Sequence, residues 1–238
     1  MRTRWQLLLL ILVPLVVVAV ATPAVIHAGD EPSSSHAEAS RIASRAPTSP
    51  ANKQPAVDVT WEDTLGIRLP VSRDHGPHRM ESDRAAGFAR TEAGAGFAAA
   101  HLVARTSPSV GPSVFSATLV EQVRGPNRIA MEQLVTEQYE QQRRRAGVQP
   151  GQRIPGADAE LVGYQVESYE TDPAHATIQL LLTSAVLRAT GRFLAVLVTL
   201  QWAEDDWLLI APPQGDWATV SRLVAARPTG LVGFGEAG

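Results

Sequence analysis

Three stretches of the chain hold side chains that could do chemistry. The first runs from Asp74 to His78 and sets His75 and His78 beside a carboxylate, a spacing that could touch a metal ion. A structural zinc site needs about four ligands and a catalytic one about three. This stretch offers fewer, in a polar, arginine-bearing segment, so it reads as a solvated loop. The second is His101, a candidate general base facing a cavity. A base needs an orienting partner and a polar pocket. Asp205 and Asp206 fall in a turn and supply neither, so a buried or interfacial histidine with its bonds satisfied is expected. The third is Arg143, Arg144 and Arg145, which could bind phosphate or anionic lipid but suit the cation-favouring end of a helix. The glycine-rich run from Glu92 to Phe97 lacks the Lys-Ser/Thr of a phosphate loop, and Ser72, Ser107 and Ser109 belong to no nucleophile motif. No catalytic, cofactor-binding or metal residue is assigned, and no enzyme activity is expected.

Composition narrows the field further. The chain has 238 residues and no cysteine, which excludes disulfides, thiolate metal sites, a cysteine nucleophile and lipid attachment at a cysteine. The net charge of −3 gives no argument for nucleic acid as a partner. Lys53 is the only lysine, and the other basic residues are arginines.

Residues 7–26 contain no charge. Twenty helical residues span about 30 Å, the thickness of a bilayer's hydrocarbon layer. Arg2 and Arg4 precede the run and Asp30 and Glu31 follow it, so residues 1–6 form a cytoplasmic stub and the remainder lies outside the cytoplasm. Trp5 sits where an interfacial aromatic anchor belongs. The alternative is a cleaved signal peptide with Ala19-Val20-Ala21 as the processing site. The apolar run continues past that site to Ile26, which favours an anchor in membrane lipid. Residues 27–56, rich in Ser, Ala and Pro, read as a flexible linker.

The folded domain is expected over 57–238. Short extended pieces lie around Trp61 and 67–69, with Pro70 ending the second. A helix follows from the cap Thr91 to about Arg105, a second covers 113–123, and a third begins after Asn127 and ends at Gly147, burying Ile129, Leu134 and Tyr139. After residue 158 the hydrophobic period changes from 3.6 to 2. It predicts four strands, over 159–171, 174–187, 192–205 and 206–213, with an acidic turn at 204–206. Helices followed by an antiparallel meander make an α+β domain.

The first helix is unusual. Gly94 and Gly96 each cost a helix interior about 1 kcal/mol relative to alanine. With Ala95, Ala98 and Ala99 they form a slim cylinder, which predicts that a backbone or a bulky ring such as Trp202 packs closely against it. His101 and Trp202 are the candidate cavity residues. Trp207 and Trp217 flank the last strand and are the candidates for a protein contact.

This layout resembles the NTF2-like fold, a curved antiparallel sheet wrapped as a cone around N-terminal helices. Trp61, "LPVS" at 69–72, "GP" at 76–77, "GFARTEAGAGFAAA" at 87–100 and "GLVGF" at 230–234 resemble a family of single-pass membrane proteins of high-GC Gram-positive bacteria that brings no assigned activity with it. Stub, span, linker and domain are together similar to the assembly components of conjugative type IV secretion. That resemblance implies a scaffold whose partners are other membrane or secretion proteins, or further copies of itself. A ligand-binding or enzymatic cone domain and a secreted protein are the alternatives.

Overall fold

The period-two stretches of the C-terminal half fold as an antiparallel meander, and the helices before it cover one face. In the computed structural model the described residues are 58–64, 66–81, 83–155, 159–172 and 174–234. The expected span at 7–26 and linker at 27–56 lie outside them. Among the described residues no helix is long and apolar enough to cross a membrane.

The domain opens with a two-stranded antiparallel ribbon, β1 (Thr60–Thr64) and β2 (Ile67–Val71). Pro70 does not end β2 but pairs with Trp61 inside it. In a two-stranded ribbon both strands are edges, where a missing N–H is tolerated. The expected polar loop after it contains a second small pair, β3 (Arg79–Met80) and β4 (Ala85–Ala86).

Helix α1 spans Glu92–Arg105. Thr91 caps it, its Oγ1 accepting from the Gly94 N–H at 3.0 Å, and Glu92 sits in the first turn, where the helix dipole favours an anion. Helix α2 (Pro112–Glu121) follows a 3-10 turn at Pro108–Val110 and stops before β5 (Val123–Arg124). The expected helix over 113–123 thus ends two residues early, at Glu121. Helix α3 (Arg128–Ala146) ends on Gly147 in the left-handed conformation. Asn127 precedes it but makes no side-chain cap. Its buried residues are Met131, Val135 and Tyr139, while Ile129 is 52% exposed. The apolar stripe is thus offset from the expected Ile129–Leu134 face, because the 3-10 turn at Pro213–Gly215 lies against the helix: a methyl group on Gly215 would collide with the Met131 backbone.

Strands β6 (Glu160–Thr171), β7 (Ala174–Thr183), β8 (Phe193–Ala203) and β9 (Asp206–Ile210) pair in sequence order, all antiparallel. A short helix α4 (Ala185–Ala189), capped by Ser184, occupies what was expected to be the end of the second strand. Residues beyond β9 return as β10 (Ser221–Val224), which pairs with β8, and β11 (Val232–Gly233), which pairs with β6. With β5 parallel to β9, the sheet is mixed and reads β11-β6-β7-β8-β9-β5, with β10 beside β8. β9 and β10 share one edge of β8, facing positions 200–203 and 193–196 respectively.

Helix α1 lies across β6, β7, β8 and β9. Ala95, Phe97, Ala98, Ala99, Ala100 and Leu102 are fully buried and join Ile178, Leu180, Val198, Leu200 and Trp207 of the sheet in one core. The domain is α+β.

Candidate functional site

The two helical glycines are explained by what lies against them. A methyl group on Gly96 would sit 2.5 Å from the Tyr164 ring of β6, and one on Gly94 would sit 2.0 Å from the Ala89 carbonyl oxygen. The ring at the helix is therefore Tyr164, not the expected Trp202. Burial pushes the Tyr164 hydroxyl up to about 12, and the Glu92 charge adds to the shift. Phe234 closes the same cluster, with ring centroids 5.2 Å from Tyr164, 5.4 Å from Phe97 and 6.2 Å from Trp61.

The chain entering α1 is held by four side chains of the sheet and its own arginine. Asp206 accepts from the Gly87 N–H at 2.6 Å and the Phe88 N–H at 3.2 Å, and also from the Trp207 N–H at 2.9 Å. The Trp207 indole N–H donates to the Ala89 carbonyl at 2.9 Å, and the Tyr169 hydroxyl donates to the Arg90 carbonyl at 3.0 Å. Arg90 donates back to the Thr171 carbonyl at 2.8 Å and lies over the Trp202 ring at 5.7 Å. Asp206 is thus a buried strand residue, not the turn residue expected. Trp207 is fully buried and unavailable for a protein contact, a correction to its expected role. Trp202 is half-buried and packs edge-on against Trp207 at 5.3 Å.

Trp217 is half-buried on the opposite face of the sheet. There it borders a cavity of about 280 Å³ with Leu197, Thr199, Ile210 and Val220, and its indole nitrogen is buried without a partner.

His101 is fully buried. Its Nε2 lies 2.9 Å from the Pro70 carbonyl, and its ring lies 5.6 Å from Phe88. A carbonyl only accepts, so Nε2 carries the proton and Nδ1 is left as an acceptor with no partner. Burial pushes its pKa down to about 4, against the Pro70 hydrogen bond and with help from the Arg105 charge. The histidine is neutral and half-satisfied, where a satisfied one was expected. One turn on, Arg105 is also fully buried, and its three side-chain nitrogens have no partner. Its burial is not among the sequence expectations. The signal available was an arginine four residues after a histidine on a helix otherwise lined with alanine.

The remaining candidates are dispersed. Both His78 ring nitrogens face backbone carbonyls, of Gly87 and Arg73, which leaves neither free for a metal. His75 is half-buried 6.1 Å from Phe97. Among the described residues no three histidines or carboxylates are grouped to hold a metal ion. Glu140 takes Arg143 at 2.9 Å and Arg144 at 3.3 Å, so two of the three arginines at the end of α3 are paired, and Arg143 holds the Glu140 carboxyl below its ordinary range. Ser72 accepts from the Asp74 and His75 N–H groups, and Ser107 caps the 3-10 turn, both local structural roles.

No curated protein and no solved structure matches the chain. A family model described as a domain of unknown function, DUF8175, matches residues 21–227, and the chain belongs to that family.

Proposed function

We propose that the protein is a membrane-anchored, extracytoplasmic scaffold subunit with an NTF2-like domain, working in a conjugative-transfer or type IV secretion-like assembly. The observation that carries this reading is how the face between α1 and the sheet is filled. Tyr164, Phe97, Phe234 and Trp207 pack there against Gly96 and the alanines, where a ligand-binding or catalytic cone would present converging polar groups. The uncharged run 7–26, with arginines before it and carboxylates after it, supports the anchor. Two register shifts in β6, between Leu161 and Gly163 and between Val166 and Ser168, support a bent sheet, because an extra residue kinks a strand and increases its twist. The reading assigns no reaction to the chain. Its contact surface is the sheet face bearing Trp217 and the 40%-exposed Leu197.

Crosslinking in native membranes, followed by identification of the attached proteins, tests the proposal. Subunits of a transfer or secretion assembly, or further copies of the chain, are expected. Recovery of metabolic enzymes alone overturns it. Alkaline extraction tests the anchor separately: a chain released into the soluble fraction has no spanning segment.

A further inference from the structure

The C-terminal turn of α1 holds two unmet needs side by side. Arg105 is wholly buried, with Nε, Nη1 and Nη2 unpartnered. A guanidinium keeps its charge inside a protein, and a buried charge without a partner is strongly destabilising. Asp83 is the carboxylate whose charge reaches it, yet no nitrogen of Arg105 bonds to it. His101, one turn earlier and so on the same face, offers the opposite: a buried lone pair on Nδ1 with nothing to accept from.

Cationic donors beside a neutral acceptor suit a ligand that is an anion and still carries a proton. We propose that this turn binds a small hydroxyl-bearing oxyanion of the hydrogen-phosphate type. Its charged oxygens accept from Arg105 and its O–H donates to His101 Nδ1. The complete burial of both side chains selects a free ion over a lipid headgroup. Asp83 stands in the turn between β3 and β4, where Glu81 and Arg84 exchange backbone hydrogen bonds, and it competes with the ion for Arg105. The β3–β4 pair is fastened to the end of α2 by Gln122, just past the helix, which donates to the Ala85 carbonyl at 2.9 Å, and by the Arg84–Glu121 ion pair. The proposal is independent of the scaffold reading, since a structural subunit can be stabilised by a bound ion.

The full chain is titrated with inorganic phosphate at pH 7 by calorimetry and thermal unfolding, with sulfate at matched ionic strength. Both anions favour compact states by exclusion from the protein surface, but at that pH sulfate has no proton to donate. The expected result is saturable phosphate binding with Tm raised by about 5–10 °C at a hundredfold excess over Kd. Arg105→Met abolishes the saturable shift and Asp83→Asn tightens it. Glycerol 3-phosphate is the headgroup arm, and binding weaker than that of the free ion is expected. Equal or non-saturating responses to phosphate and sulfate overturn the proposal, as does an unchanged phosphate response in Arg105→Met or tighter binding of the ester. Calorimetry on the unmodified chain decides the matter even where a variant fails to fold.

Discussion

Asp206 and Gly87 are 119 positions apart in sequence, and the carboxylate of the first accepts the backbone N–H of the second at 2.6 Å. Its other oxygen takes the N–H groups of Phe88 and Trp207. One buried side chain therefore fixes where the chain enters α1 relative to the β8–β9 hairpin. Asp206→Ala leaves three backbone donors short of an acceptor. A loss of about 3 kcal/mol in unfolding free energy is expected, measured by urea denaturation. Asp206→Asn keeps one acceptor oxygen and is expected to lose about half as much.

Gly94 and Gly96 predict two different failures. Alanine at either position raises helix propensity by about 1 kcal/mol. At Gly96 the new methyl meets a ring, and at Gly94 it meets a backbone carbonyl. Gly96→Ala is expected to destabilise by about 1–3 kcal/mol, and Tyr164→Leu in the same chain should recover much of that. Gly94→Ala is expected to cost more and to gain nothing from Tyr164→Leu. A double-mutant cycle on Tm and urea midpoint checks both.

His101 makes stability depend on pH in a known direction. Its folded pKa, about 4, lies below the ordinary 6.5, so the unfolded chain binds its proton first as pH falls. The contribution is complete above about pH 6.5 and is lost as pH drops towards 4, at up to about 1.4 kcal/mol per pH unit. Urea unfolding of the chain and of His101→Gln between pH 4.5 and 7.5 isolates it. The difference between the two should flatten above pH 6.5.

The β8–β9 turn is built from Glu204 and Asp205, both in the left-handed region at φ 55° and 61°. Such a two-residue hairpin turn prefers Asn-Gly. Glu204 also forms an exposed pair with Arg124 at 3.0 Å, a contact of small value. Glu204→Asn combined with Asp205→Gly is expected to stabilise the domain by about 1 kcal/mol, read as a higher urea midpoint.

What was legible in the sequence was local. Thr91 and Glu92 announce α1 because a cap and its first turn are adjacent in the chain, and the apolar period announces β6 to β8 because those strands are long. The two-residue strand β5 was hidden at the end of a helical run, since its pairing with β9 is a tertiary fact. Period two covers Trp202 and leaves Trp207 for a contact; the structure reverses this, because Trp207 pairs across the hairpin with Trp202 and its indole N–H reaches the Ala89 carbonyl, which leaves Trp207 fully buried. Glu204, Asp205 and Asp206 looked like one acidic turn, although the turn uses only the first two. The i, i+4 spacing of His101 and Arg105 is legible in the sequence, but the absence of partners for both is a tertiary fact.

The contact between Trp61 and Phe234 joins the first described strand to the last residue of the described domain. The hairpins from β6 to β9 bring together neighbours in the chain and can assemble early. This closure brings together segments separated by nearly the whole domain, and such contacts form slowly. Trp61, Phe97 and Tyr164 share Phe234 as their common ring neighbour, so a chain cut short before Phe234 would leave that aromatic seam unsealed.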